Sequence, residues 1–153
     1  MPTHYKGSST QINTLNAYIK MMRASESIMR RLCRSLSEVG LTISQFGVLE
    51  SLLHLGPQNQ KEIGTKLLKS GGNITLVIDN LEKNGYVKRK KDDNDRRALI
   101  VSLTAKGEKF ISEYFPKHLE KIEEEFNVLS ETEKKELARI CKKVGMKAEE
   151  LAL

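Results

Sequence analysis

The sequence predicts a mainly α-helical fold carrying one small antiparallel β-hairpin. Three observations point that way. Apolar residues recur every three to four positions through most of the 153 residues. Helix-opening pairs of the form Ser/Thr-x-x-Gln/Glu recur ahead of those runs. Only residues 86–104 alternate at strand spacing, on either side of a charged turn.

Each element follows from its own signals. Ser8 and Gln11 have capping-box spacing and open a long first helix reaching about Val39, where Gly40 stops it. Its stripe is Ile12, Leu15, Ile19, Met22, Met29, Cys33 and Leu36, interrupted at Glu26, the seam of a packed or intertwined helix. On that stripe Cys33 is expected to be a reduced core thiol, and Cys141 has no metal-ligand spacing to it. A redox-sensing cysteine would need an accessible, acidic thiol, and nothing in the sequence marks one. Thr42 and Gln45 repeat the box, with Leu41 and Phe46 placed as a hydrophobic staple, and this second helix runs from Ile43 to about His54 before Gly56-Pro57.

Asn59 with Glu62 starts a short third helix whose inner face is Ile63 and Leu67. The turn Lys69-Ser70-Gly71-Gly72 leads to a fourth helix with Ile74, Val77, Ile78 and Leu81 on one face, closed by Asn84-Gly85. Strands follow at Tyr86–Lys90 and Ala98–Thr104, with Leu99, Val101 and Leu103 on one side. Thr104 caps a fifth helix bearing Phe110, Phe115, Leu119, Ile122, Phe126 and Leu129, which Pro116 should bend. Ser130 and Glu133 open the last, with Leu137, Ile140, Val144 and Leu151. Without repeats or a linker, residues 1–153 read as one unit.

Composition limits the function. The formal charge is +6, with 39% hydrophobic residues and no tryptophan. Residues 57–110 hold 12 Lys+Arg against 7 Asp+Glu, whereas residues 111–153 hold 8 against 10. The basic excess is thus densest around the fourth helix and hairpin, where a phosphate backbone would be met. No apolar run approaches the ~20 residues of a membrane span, and the first residues lack a secretory h-region, so a cytoplasmic protein is expected. His4, His54 and His118 are scattered, with no nucleophile, base and orienting group at a recognisable spacing. Neither an enzyme nor a metal or cofactor protein is expected.

A short amphipathic helix followed by a basic hairpin reads as a helix for a DNA groove and a wing for the neighbouring backbone. With LTISQFGVLESL (from Leu41), SGGNITLVIDNLEKNGYVKR (from Ser70) and DDNDRRALIVSLTAKG (from Asp92), the chain resembles the MarR family of winged helix-turn-helix regulators. The last segment matches the family's wing signature, Asp-x-Arg, a strand, then Leu-Thr-x-x-Gly. The resemblance implies a DNA-binding lobe at 41–104, flanked by dimerisation helices at 8–40 and 105–153. It implies a homodimer on a palindromic operator, usually a repressor released by a small molecule or oxidant.

Site residues follow from both sources. Ser70, Gly71 and Gly72 open the fourth helix, where free N–H groups favour an anion and glycine permits close approach. Asn73, Thr75 and Leu76 lie off the core face; Asn pairs with adenine, and Thr and Leu pack on a thymine methyl. Lys88, Arg89, Lys90, Lys91 and Arg96 are expected beside phosphates. By resemblance, Arg97 enters the minor groove and Asp95 fixes its position. An effector site is implied between the lobe and the dimerisation helices, with Tyr18, Met22, Met29, Phe46, Leu49 and His54 as candidates. The segment from Leu67 to Lys90 is most similar to members answering to catechols, quinones and other aromatics. The alternative is a winged-helix adaptor that uses its basic face for a protein partner and binds no DNA.

Overall fold

The computed structural model describes residues 4–69 and 71–152. Six helices and three strands follow in the order α1 (Ser9–Ser37), α2 (Ile43–Leu55), β1 (Gln58–Asn59), α3 (Gln60–Lys66), α4 (Gly71–Lys83), β2 (Val87–Lys91), β3 (Leu99–Leu103), α5 (Ala105–Phe126) and α6 (Glu131–Leu151). The chain divides into two compact units, residues 1–116 and 117–153. Among the described residues, no helix is long and apolar enough to cross a membrane.

The first unit is built around one core. The α4 stripe of Ile74, Val77, Ile78 and Leu81 is buried against Leu36, Phe46, Leu49, Leu52, Ile63, Val87, Val101 and Ile111. Each fully buried side chain of this kind contributes roughly 1.5–3 kcal/mol. Gly64 lets α3 and α4 close together, since a Cβ there would stand 3.2 Å from Cγ2 of Ile74. The capping boxes at Ser8/Gln11 and Thr42/Gln45 are formed as the spacing predicts.

The sheet is antiparallel with order β1-β3-β2. Val87 pairs with Leu103, Arg89 with Val101, and Lys91 with Leu99. The two-residue β1 adds Gln58 opposite Val101 and was not foreseen, because so short a strand carries no periodicity. Gln58 is buried; its amide Nε2 donates to the Ser51 carbonyl at 3.0 Å and its Oε1 accepts from Lys66 Nζ.

One expectation needs correction. Cys33 is exposed, not a core thiol. The side chains that α1 buries are Leu32, Ser35 and Leu36, so the Cys33 edge of the stripe is left uncovered in a single chain. Met22 and Met29 on that stripe are likewise exposed. Just past the end of α3, Leu68 takes φ +52°. Leu68 N–H bonds to Thr65 O and Lys69 N–H to Gly64 O, the paired bonds of a left-handed helix end usually given to glycine.

Two contacts generate predictions. At Gly107 a Cβ would lie 1.9 Å from the Tyr86 carbonyl oxygen, so backbone must move to admit any side chain. Gly107→Ala should cost about 2–3 kcal/mol in urea denaturation, and a loss under 0.5 kcal/mol would show the junction to be slack. In the second unit, His118 is only 4% exposed. Burial first, and then the charge of Lys121, hold its imidazole below the ordinary histidine range. The unfolded chain then takes up a proton near pH 6.5 that the folded chain refuses. Stability present above that pH should fall as pH drops toward the folded pKa, by at most about 1.4 kcal/mol per unit. His118→Gln should remove that part of the slope in denaturation series at pH 7.5, 6.5 and 5.5.

Candidate nucleic-acid interface

A cleft of about 520 Å³ opens between α3, the start of α4 and the returning strand of the hairpin. Its walls carry Gln60, Lys61 and Lys69 from the α3 side, Gly71 and Thr75 from α4, and Asp95 and Arg97 from the wing. Of the predicted residues, Gly71 and Thr75 of the helix and Asp95 and Arg97 of the wing come together on this surface.

Each wall has a local cause. At the wing, Asp92 accepts from the Asn94 N–H at 2.9 Å and Asp95 from the Arg97 N–H at 3.0 Å, two successive aspartate turns. The Arg97 side chain is 96% exposed and its Nε stands 3.8 Å from Asp95 Oδ1. Asp95 therefore fixes the backbone under Arg97 and leaves the guanidinium fork available, rather than holding the fork itself. Asn73, Lys88, Lys90 and Arg96 are exposed. Leu76 is 61% exposed, a large apolar side chain facing outward from α4. Ser70 lies outside the described residues.

Gly71 and Gly72 occupy the first turn of α4 rather than the loop before it. Chain neighbours and the helix's own backbone aside, no described atom lies within 4 Å of where a Cβ would stand at either, and both lie in helical backbone. The fold itself therefore has no need of glycine there, although glycine costs a helix up to about 1 kcal/mol relative to alanine.

Arg89 departs from its expected place beside phosphate. Alternation from buried Val87 turns it back toward α4, while Lys88 and Lys90 face outward. Its guanidinium bonds Glu82 through Nε and Nη2, the first at 3.1 Å, and lies 2.7 Å from Asp79. Its backbone N–H also donates to Glu82 at 3.0 Å. The hydrogen bond from Arg89 is the main cause that holds the Glu82 carboxyl below its ordinary range. The period-2 pattern of Val87-Lys88-Arg89 was the signal that would have found this.

Gln60 was not foreseen, because a glutamine in a first helical turn carries no signature. Its Nε2 donates to Thr75 Oγ1 at 2.9 Å, so α3 reaches the exposed edge of α4.

The effector candidates do not converge. Phe46 and Leu49 are 2% and 0% exposed in the core, Tyr18, Met22 and Met29 are exposed on α1, and none of the six lines the cleft. His54 is exposed and meets the Phe115 ring edge-on at 4.7 Å.

The helix pair, the three-stranded sheet and the basic hairpin define a winged helix-turn-helix protein. The MarR family pattern matches residues 41–99. Over 137 residues the chain is 36% identical to the uncharacterized HTH-type transcriptional regulator YkoM of Bacillus subtilis, covering 90% of this chain and 89% of that protein. It is equally similar to the HTH-type transcriptional regulator MhqR of B. subtilis, 36% identical over 90% of this chain and 94% of MhqR. Among solved structures, mutant MarR from E. coli complexed with operator DNA matches with a TM-score of 0.74 and 26% identity, covering 91% of this chain and 99% of that one. The chain belongs to the MarR family, and its relatives are transcriptional regulators.

The Arg89 network sets a stability test. Arg89→Ala would leave Asp79 and Glu82 without their shared cation. Because both carboxylates are well solvated, the cost should be about 1–2 kcal/mol by urea denaturation, between exposed and buried ion-pair values.

Proposed function

We propose that this chain regulates transcription by binding a palindromic DNA operator as a homodimer, with α4 in the major groove and Arg97 of the wing in the adjoining minor groove. The observation that carries the reading is Arg97, 96% exposed at the wing above a backbone pinned by Asp95, on the same cleft as the first turns of α4. An exposed guanidinium without a tight protein partner suits a narrow, electronegative groove. Gly71 and Gly72 fit the same reading, since a phosphate close to the α4 backbone would give them the purpose that the fold does not. Lys88, Lys90 and Arg96 supply charge to phosphates, while Asn73, Thr75 and Leu76 face base edges.

Surfaces that one chain leaves uncovered support the homodimer. On α1, Tyr18, Met21, Met22 and Met29 are exposed; on α6, Leu137, Ile140, Val144 and Leu151 are exposed at helical spacing. Stripes of this size on soluble chains mark an interface. In keeping with the family likeness, the regulator is a cytoplasmic repressor released by a small aromatic compound, a binding protein with no catalytic step.

Selection of bound duplexes from a random library tests the function. It should yield a two-fold symmetric site bound with a steep salt dependence. Failure to retain any duplex, in a protein that stays folded, would leave the adaptor reading in its place. On the selected site, Arg97→Ala should weaken binding about a hundredfold, since each dimer loses two charge-assisted contacts of roughly 1.5 kcal/mol. It should also relax the preference for A·T pairs flanking the half-sites. Unchanged affinity and preference, read by fluorescence anisotropy, would remove Arg97 from the interface.

A further inference from the structure

Thr75 stands on the cleft, partly exposed, but its hydroxyl is engaged inside the protein. Its single hydrogen goes to the Gly71 carbonyl one turn earlier, with Oγ1 and O 2.9 Å apart. Gln60, from α3, donates its amide Nε2 into the same oxygen at 2.9 Å. An alcohol carries one hydrogen and two lone pairs. The hydrogen and one lone pair are therefore taken before any ligand arrives. To donate to a base, Thr75 would have to give up the Gly71 bond; to accept from a base amine, it would need a second donor on an oxygen already bonded on two sides. Besides one remaining lone pair, what the side chain still offers is its γ-methyl group.

We infer that Thr75 reads DNA through that methyl, by apolar contact with the 5-methyl of a thymine, and that Gln60 is a positioning residue holding the hydroxyl away from the groove. This rests on the DNA-binding reading above. The major groove distinguishes thymine by that methyl, and threonine can meet a base through either of its γ substituents. With the hydroxyl hydrogen given to Gly71 and one lone pair taken by Gln60, the methyl is the γ substituent less engaged within the protein. Leu76, the next residue and 61% exposed, continues the apolar character of this part of α4.

The test uses the full-length protein and the duplex recovered by selection. Each thymine is replaced in turn by deoxyuridine, which removes only the 5-methyl. Affinities are measured for the natural protein, Thr75→Val and Thr75→Ser, each checked for an unchanged melting temperature. One thymine per half-site should lose about fourfold on demethylation, the worth of one buried methyl-sized group. Thr75→Val, which keeps the methyl, should show the same fourfold ratio at that position. Thr75→Ser, which keeps only the hydroxyl, should bind the natural duplex about fourfold more weakly per half-site and be indifferent to demethylation there.

The inference is overturned if Thr75→Ser keeps the natural affinity while Thr75→Val loses it, since the hydroxyl would then be the reader. It is also overturned if no thymine shows a methyl ratio that depends on residue 75. In both cases the selected duplex is still bound, so the DNA-binding reading stands. Recovery of no duplex at all would overturn both.

Discussion

The geometry of the proposed DNA-facing surface depends on a single carbonyl. The Tyr86 oxygen, at the point where α4 gives way to β2, accepts the Thr104 N–H at 3.0 Å from the end of β3. The Thr104 hydroxyl reaches the same region, 2.6 Å from the Gly85 oxygen and 3.2 Å from that of Tyr86, and accepts the Gly107 N–H at 3.0 Å. Gly107 then passes so close that it has no room for a side chain. One knot thus joins the end of α4, both wing strands and the start of α5. The run Leu103-Thr104-Ala105-Lys106-Gly107 is its sequence form: threonine caps the helix and ties the strand, and glycine allows the contact. Lys106 closes the outside, with Nζ 2.7 Å from the Asn84 oxygen and 4.7 Å from the centre of the Tyr86 ring.

With that junction held, a second link relates wing to helix. Arg89 and Arg97 are eight residues apart in one hairpin but have opposite tasks. Arg89 is turned inward by strand alternation and its charge is consumed by Asp79 and Glu82 of α4. Arg97 sits past the tip, where Asp95 spends its hydrogen bond on backbone and leaves the guanidinium solvated. A count of basic residues therefore overstates what the wing can offer to phosphate. The charges that remain outward, Lys88, Lys90, Lys91, Arg96 and Arg97, lie where the backbone presents them rather than where the sequence is densest.

Much of this was legible before any coordinates. Capping pairs placed the starts of α1, α2 and α6, because a side chain three residues from its partner has few other uses. The α4 stripe placed its buried face, and Asn84-Gly85 its end. Tertiary facts were not legible. Whether Cys33 is covered depends on which elements lie over α1, and helical spacing records only that it shares an edge with apolar neighbours. Leu68 in a left-handed turn runs against local preference, so no local rule would place it there. Gln60 acquires its role solely from where α3 meets α4. The effector candidates failed to converge for a related reason: a Met and aromatic stripe at helical spacing looks the same whether it lines a cavity, fills a core or awaits a partner.

A palindromic operator imposes a distance that nothing inside one chain sets. Successive major grooves on one face of DNA lie about 34–36 Å apart. The α4 helix has 13 residues, about 20 Å in length, and the hairpin strands have five residues each, so the lobe alone does not define that separation. In the proposed homodimer the separation must come from the elements outside the lobe. The 29 residues of α1 span about 44 Å, which is commensurate with the groove repeat. Its exposed apolar residues and those of α6 are then no defect of an isolated chain. They are the surfaces through which two copies would fix the distance between their recognition helices, and any ligand that altered the packing of those surfaces would act on DNA binding without touching a base.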